Sequence, residues 1–361
     1  MRITPFASSL VALAAAVSLA GCAANEAAPA GSAAATSSGA TLTGKGSSAM
    51  KAAQEKWVAD FQTANSGVTV NYSPEGSGAG RSAFIAGAAQ FAGSDRALKD
   101  EEMGAGKFAG CAADSSALNL PVYVSPIAII FNIEGVDSLT LDPATAAGIF
   151  AGKITTWNDP AIAKTNPGVT LPDGNITAVH RADDSGTTSN FTDTLNALAP
   201  TVWTEAASDA WPAAIGGEAA TGTSGVVGAV TNGTNTIGYA DASQAAKLGH
   251  VTLLVDGKKL TPTADAASKI VDASPLVKGR ATNDLALKLD RTSEGAYPAV
   301  LVSYVIVCET YQDSATAKLV KDYVGYIASS AGQQSAATAA GSAPLSSAFQ
   351  AKVKAAVDSI K

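Results

Sequence analysis

The run from Leu118 to Ile133 constrains the fold more than any other part of the sequence. It is almost continuously apolar and rich in β-forming residues, which is typical of a strand that is buried on both faces. A second buried strand is predicted from Val300 to Val307. From Thr41 onward, short β-like runs alternate with amphipathic helical patterns. This alternation predicts an α/β architecture.

The clearest helical pattern is the apolar stripe from Met50 to Phe61, which follows a predicted turn at residues 44–46 and has Ser47 or Ser48 as its cap. Strands are also predicted over residues 68–72 and 171–179, and further helices over residues 82–91, 143–150, 315–329 and 346–360.

The start of the chain predicts where the protein resides. Residues 1–21 combine a basic start with an apolar run that is too short to span a bilayer. With Cys22, their last three residues form Leu19-Ala20-Gly21-Cys22, a lipoprotein signal-peptidase box. We expect a lipid anchor on Cys22 at the outer face of a cytoplasmic membrane, with residues 22–40 as a flexible tether. The alternative is an ordinary secretory signal that happens to precede a cysteine. No later segment has the pattern of a transmembrane helix.

The composition limits the kinds of function. The chain is 47% apolar and 15% charged, which argues against disorder, and about 320 residues beyond the tether suggest about two domains. The net charge is −7 and no basic stripe occurs, so nucleic-acid binding is not expected. An anion would have to be held by local donors.

Two cysteines remain if the lipid occupies Cys22. An oxidising compartment favours a disulfide between Cys111 and Cys308, and two buried free thiols are the alternative.

The segment from Ala178 to Ser189 has the pattern of an anion site. An apolar lead-in ends at Arg181, passes an acidic pair and enters a helix through Ser185-Gly186-Thr187, which gathers hydroxyls and free N–H groups at a helix N-terminus. The arginine can hold two oxygens at once, and Asp183 is close enough in sequence to orient it. The alternative is a capped helix with a surface salt bridge.

Three other segments share this design, at residues 44–49, 76–80 and 91–95. Each could equally be an ordinary glycine-serine turn between a strand and a helix. The third ends on Asp95, and a carboxylate repels an anion unless the anion brings a proton for it to accept. Phosphate keeps at least one proton at neutral pH and sulfate has none, so Asp95 would favour phosphate.

Enzyme motifs are incomplete. Ser48-Ala49-Met50-Lys51 matches the Ser-x-x-Lys of penicillin-recognising acyltransferases, but the partner motifs do not occur. Asp184-Ser185-Gly186 resembles the nucleophile turn of trypsin-like proteases, yet the chain has only two histidines, His180 and His250, and no triad order fits. Zinc, P-loop and dinucleotide motifs are also missing, so we expect no metal and no cofactor.

These segments together resemble the substrate-binding lipoproteins of the high-affinity phosphate ABC importer, the PstS family. The arginine segment is the most specific part, and the resemblance runs from Leu42 to the C-terminal helices. It also includes residues 152–159, 161–164, 166–168 and Tyr297-Pro298.

The resemblance implies a type II periplasmic-binding-protein fold with two α/β lobes and a ligand cleft between them. Lobe 1 would comprise residues 41–116 and 294–361, and lobe 2 residues 117–293. The protein would be a monomer that captures inorganic phosphate and delivers it to the permease of an ABC importer, without catalysis. Two other functions stay open: a binding protein for sulfate or molybdate, and a secreted serine acyltransferase or phosphatase.

The resemblance also implies the site residues. Asp95 matches the acid that accepts the phosphate proton, and Asp183 matches the ion-pair partner of the ligand arginine. The phosphate ligands would be Ser48, Ala49, Ser77, Asp95, Arg181, Ser185, Gly186 and Thr187. The family commonly has Thr-Phe-Pro where this chain has Ser48-Ala49-Met50, so one wall of the pocket departs from the family pattern.

Overall fold

The computed structural model describes residues 39–361 as a mixed α/β fold, which confirms the predicted class. The strands are β1 (Ala40–Gly46), β2 (Val68–Ser73), β3 (Phe91–Ser94), β4 (Ala117–Asn132), β5 (Leu139–Leu141), β6 (Thr177–Arg181), β7 (Glu218–Ala220), β8 (Thr236–Asp241), β9 (Gly249–Val255), β10 (Lys258–Leu260) and β11 (Val300–Cys308). The α-helices are α1 (Lys51–Ala64), α2 (Ser77–Ile85), α3 (Pro143–Phe150), α4 (Pro160–Thr165), α5 (Gly186–Leu198), α6 (Gly222–Asn232), α7 (Ala264–Ala273), α8 (Ser314–Ala328), α9 (Ser330–Ala340) and α10 (Ser347–Ser359).

The main sheet follows the order β2-β1-β3-β11-β4-β8-β6-β7. Its two ends are parallel, because β1 pairs in parallel with β2 and β3, and β6 pairs in parallel with β8 and β7. The middle is antiparallel, since β11 runs opposite to both β3 and β4, and β4 runs opposite to β8. Strands β5, β9 and β10 form a side branch that joins the sheet at β4.

The two long apolar runs form the antiparallel middle. All nine residues of β11 are buried, and so is every residue of β4 before Asn132. This confirms that both runs are buried strands. Their pairing extends from Val300 opposite Pro126 to Cys308 opposite Ala117. This pair of strands therefore lies between the two parallel ends of the sheet, with β3 next to β11 and β8 next to β4.

The apolar side chains form two main cores on either side of this middle. The first contains Trp57 and Tyr323, and the second contains Phe150 and Tyr239. Strand β4 contributes to both, because its residues up to Val124 pack in the first core and those from Ile127 onward pack in the second and in a smaller cluster beside it. The exact boundaries of the two lobes stay a prediction.

Some predicted local elements are wrong in their bounds. The helix predicted over residues 82–91 is α2, which begins at Ser77 and ends at Ile85, and Phe91 begins a strand. Gly76 causes the early start, because its φ of 102° turns the chain directly into the helix. The turn predicted at residues 44–46 is part of β1, which is held extended by its pairing with β2 and β3. The strand predicted over residues 171–179 is shorter, since only β6 is regular.

Cys111 and Cys308 form a disulfide, the first of the two states that the sequence allows. It ties the loop before β4 to the end of β11. The predicted signal segment, Cys22 and nearly all of the tether lie outside the described residues. Within residues 39–361, no helix combines the length and the apolar character that crossing a membrane requires.

We predict that the disulfide forms in the protein as it is produced. In a Cys22→Ser variant, alkylation of denatured, unreduced protein should label no thiol, and alkylation after reduction should label two. Because the bond closes a loop with a sequence separation of 197 residues, reduction should also lower the free energy of unfolding, by about 2–5 kcal/mol. Two labelled thiols before reduction would contradict the prediction.

Candidate functional site

Asp95 is the centre of the candidate site. It follows β3 directly and is 2% exposed. Three hydroxyls from three different elements donate to its carboxylate. Ser77 Oγ and Thr187 Oγ1 lie 3.2 and 3.3 Å from Oδ2, and Ser303 Oγ lies 2.8 Å from Oδ1. The site therefore joins the start of α2, the start of α5 and the middle of β11.

The backbone of Asp95 is held as firmly as its side chain. Its N–H donates to Ser77 Oγ at 3.1 Å, and its carbonyl accepts from Asn190 Nδ2 at 2.6 Å. Asn190 Nδ2 also donates to the Gly186 carbonyl, and Asn190 Oδ1 accepts from Arg291 Nη2 at 2.5 Å. The carboxylate is thus fixed in position relative to α5.

Two opposing effects act on the acidity of Asp95. Burial is the larger effect and raises the pKa of its carboxyl overall, while the hydroxyls of Ser47, Ser303 and Ser77 and the charge of Arg181 oppose that rise. The ionised carboxylate is an acceptor in a site that excludes water. It suits a ligand atom that carries a proton, and it repels an anion that carries none.

Arg181 and Asp183 form a buried pair beside this carboxylate. Arg181 ends β6 and is 3% exposed, which excludes the surface salt bridge of the alternative interpretation. Its Nε donates to Asp183 Oδ1 at 2.7 Å, and its Nη2 bonds Oδ2 of the same carboxylate. Burial acts against ionisation of Asp183, but the hydrogen bonds and charge of Arg181 lower its pKa overall. Asp183 also accepts the Gly222 N–H at 2.9 Å, so it links Arg181 to the start of α6.

The start of α5 is pressed against Asp95. Ser185 is the N-cap residue and accepts the Thr188 N–H on its Oγ at 3.2 Å. A Cβ atom placed on Gly186 would lie only 2.7 Å from the Asp95 Cβ and 2.8 Å from Ser77 Oγ. Glycine is therefore required there, and the N–H groups of this helix end lie next to the buried carboxylate.

Ser48 and Ala49 lie further along the junction. Ser48 Oγ accepts the Thr223 N–H at 3.1 Å and lies 3.1 Å from Thr223 Oγ1. The Ala49 N–H donates to Ser47 Oγ at 3.1 Å, and Gln244 Nε2 donates to the carbonyls of Ser48 and Ala49. Thr223 follows Gly222, whose N–H donates to Asp183. Ser48 is therefore connected to Asp183 through the first two residues of α6. The side chain of Ala49 packs in the second core.

Six of the eight predicted ligand residues fall into two groups. Asp95 contacts Ser77 and Thr187 directly, with Gly186 beside them, and Ser48 and Ala49 lie before α1, where Ser48 contacts the start of α6. Of the other two, Arg181 bonds Asp183 and Ser185 caps α5. Their role as ligands stays a prediction.

The sequence did not indicate three polar residues of this region: Asn190, Thr223 and Ser303. One signal was available for Ser303, because a serine hydroxyl in the apolar run Val300 to Val307 needs a buried partner. The others have no comparable signal. Their partners come from elements far away in the sequence.

A half-buried ion cluster around the buried Arg81 lies beside the site. Asp209, in the segment between α5 and β7, is bonded by Arg81 of α2 and by Arg96, whose Nε lies 2.9 Å from Asp209 Oδ2. Arg96 also pairs with Glu102. The Asp209 carbonyl accepts the Ser185 N–H at 2.9 Å. The cluster is therefore connected to Ser185, the N-cap residue of α5.

The fold and this enclosed polar site define a class of protein. Residues 31–331 match the family model described as a PBP superfamily domain, so the chain is a binding protein of the periplasmic-binding-protein class. It is 35% identical over 340 residues to phosphate-binding protein PstS 3 of Mycobacterium leprae, covering 90% of each chain. It is 38% identical over 293 residues to phosphate-binding protein PstS 3 of Mycobacterium tuberculosis, covering 79% of this chain and 77% of the relative.

The chain belongs to the PstS family. A solved high-affinity periplasmic phosphate-binding protein with phosphate bound, PfluDING, aligns with a TM-score of 0.71 at 23% identity over 87% of this chain and 93% of that one. This likeness confirms the predicted type II fold. The family consists of binding proteins and not enzymes, which excludes the acyltransferase or phosphatase alternative.

We predict that Gly186→Ala lowers the free energy of unfolding by about 1–3 kcal/mol, because the new methyl group must displace Asp95 or Ser77. Urea unfolding measures the change. Gly228→Ala is the matched control, since Gly228 lies within α6 and a Cβ there has no atom within 4 Å. It should gain about 0.5–1 kcal/mol from helix propensity. Equal stabilisation of both variants would contradict the close contact at Gly186.

Proposed function

We propose that this protein binds inorganic phosphate at the junction around Asp95, between the two predicted lobes. The observation that carries the proposal is a buried carboxylate, 2% exposed, that lies next to hydroxyl donors, a helix N-terminus and a buried arginine. The proposed ligands are Ser48, Ala49, Ser77, Asp95, Arg181, Ser185, Gly186 and Thr187, with Asp183 orienting the arginine. The names of the two mycobacterial relatives support phosphate as the ligand.

Phosphate fits this set of groups better than sulfate does. The hydroxyls, the free N–H groups at the start of α5 and the guanidinium of Arg181 are donors for phosphate oxygens. Asp95 is an acceptor, and it needs a ligand oxygen that still carries a proton. A fully ionised sulfate or molybdate would place its oxygens against the carboxylate without a proton between them.

The biological role that we propose is delivery of phosphate to the permease of an ABC importer. The protein would act as a monomer at the extracytoplasmic face of the cell membrane, held there by a lipid on Cys22. The signal-peptidase box around Cys22 supports the anchor. Membership of the PstS family supports the transport role.

We also propose that phosphate closes the two lobes. Four contacts between residues 41–116 and residues 117–293 support a closed arrangement. Asp95 contacts Thr187, Ser48 contacts Thr223, and both Arg81 and Arg96 pair with Asp209. A ligand that touches both lobes binds the closed form better than the open form. This difference in affinity drives closure and offers the permease a changed surface.

The first test is a calorimetric titration of phosphate-stripped protein with phosphate and with sulfate. We expect phosphate to bind more tightly. Asp95→Asn should reduce the difference between the binding free energies of phosphate and sulfate by about 1–3 kcal/mol, because the amide also donates and no longer requires a protonated ligand. Asp137→Asn is the control, since Asp137 is exposed and should leave the ratio unchanged. An unchanged ratio in Asp95→Asn would contradict the assigned role of Asp95.

Closure can be measured by small-angle X-ray scattering with and without phosphate. We expect the radius of gyration to fall when phosphate is saturating. Sulfate at the same concentration is the control and should cause a smaller decrease. A radius that stays constant in phosphate would show that binding does not move the lobes.

A further inference from the structure

Ser303 is a buried polar residue that the proposed ligand set does not include. It lies in β11, between Val302 and Tyr304, and is fully buried. Strand β11 runs antiparallel to β3 with Tyr304 opposite Ser94, so the next pair along the register is Ser303 and Asp95. The hydroxyl of Ser303 donates to Asp95 Oδ1 at 2.8 Å across 208 positions of sequence.

The two oxygens of Asp95 have different surroundings. Oδ1 accepts the short bond from Ser303. Oδ2 lies next to the longer contacts of Ser77 and Thr187, at 3.2 and 3.3 Å, and both of these residues are proposed ligands. Oδ2 is therefore the oxygen on the ligand side, and Oδ1 is the oxygen that the sheet holds in place.

The strand pairing is irregular at the residue that makes this contact. Ser303 pairs with Tyr123 of β4 and Tyr304 pairs with Pro121, so the pairing skips Val122. An irregularity of this kind changes the direction of the neighbouring side chains, and it is common next to functional sites. It occurs at Ser303 and coincides with the bond to Asp95.

We propose that Ser303 is a positioning residue that determines ligand specificity: its hydroxyl holds Asp95 Oδ1 and keeps Asp95 an ionised acceptor, so that Oδ2 takes the proton of phosphate. This inference rests on the proposed function. A donor that bonds a carboxylate favours the charged form, which is the form that discriminates against sulfate. Ser303 itself would not touch the ligand.

The other charged and titratable groups around Asp95 do not take over this role. Arg181 of β6 and Arg81 of α2 act on it through their positive charges. Tyr72 of β2 also faces Asp95, and burial raises its pKa well above its usual range, so it stays neutral. The remaining hydrogen bonds of the carboxyl come from the hydroxyls of Ser77 and Thr187. Asp183 is the other acid of the site, and Arg181 lowers its pKa. Because burial raises the pKa of Asp95, Asp95 is the first of these two acids to lose its charge as the pH falls.

The test compares Ser303→Ala with the wild-type protein by calorimetric titration with phosphate and with sulfate over a series of acidic to neutral pH values. Loss of the hydroxyl raises the pKa of Asp95, so protonation of Asp95 begins at a higher pH in the variant. We expect the ratio of phosphate affinity to sulfate affinity to fall about tenfold at mildly acidic pH, as for the loss of one hydrogen bond to a charged group. The difference from the wild type should shrink as the pH rises.

Three further variants separate this role from a purely structural one. Ser303→Thr keeps the hydroxyl and should keep the wild-type ratio, and Ser125→Ala removes a buried hydroxyl from the adjacent strand β4 and should do the same. In an Asp95→Asn background, Ser303→Ala should no longer change the ratio, because Ser303 acts through Asp95. If Ser303→Ala does not fold, Ser303→Cys replaces it, since a thiol is a weak donor.

The outcomes are distinct. A wild-type protein that does not bind phosphate would overturn the proposed function itself. A wild-type protein that binds phosphate selectively, together with a Ser303→Ala variant of the same selectivity and pH profile, would overturn the role of Ser303 alone. An equal effect of Ser303→Ala with and without Asp95→Asn would also overturn it.

Discussion

The pairing of β4 with β11 is the constraint on which the rest of this structure depends. Both strands are buried along almost their whole length, and β4 contributes to both main cores. Strands of this kind must be covered by helices, and α6, α7, α9 and α10 all pack against β4. Because β11 also pairs with β3, the same strands bring Ser303 to Asp95. The arrangement that builds the cores thus also builds the site.

The site holds little net positive charge. Arg181 is neutralised by Asp183, Asp95 adds a negative charge, and the whole chain carries −7. Binding of an anion here would therefore depend on directed hydrogen bonds from hydroxyls and N–H groups in a dry environment, where such bonds are strong. Directed donors and a single fixed acceptor can distinguish an anion that carries a proton from one that carries none, whereas a diffuse positive field cannot.

Particular residues show how far the sequence alone leads. Arg181, Asp183 and Ser185-Gly186-Thr187 are recognisable because their neighbours in the sequence are also their partners in the structure: Arg181 bonds Asp183, and Ser185 caps its own helix. The bounds of α2 are misjudged because the helical pattern does not show that Gly76 lets the helix begin immediately. Ser48 is recognisable by resemblance, but its contact with Thr223 is 175 positions away and leaves no local pattern.

The sequence by itself determined the α/β class, the two buried central strands, the family and the residues of the arginine segment, because each of these depends on local periodicity or on a contiguous motif. Only the tertiary structure decided which oxygen of Asp95 is held by Ser303, that Asn190 fastens its backbone, and that Asp209 joins Arg81 and Arg96 to the start of α5. The bonds of Asp95 with Ser303 and Asn190 and those of Asp209 with the two arginines join residues that are 95 to 208 positions apart. Their partners are set by strand register and helix packing, which no local pattern in the sequence contains.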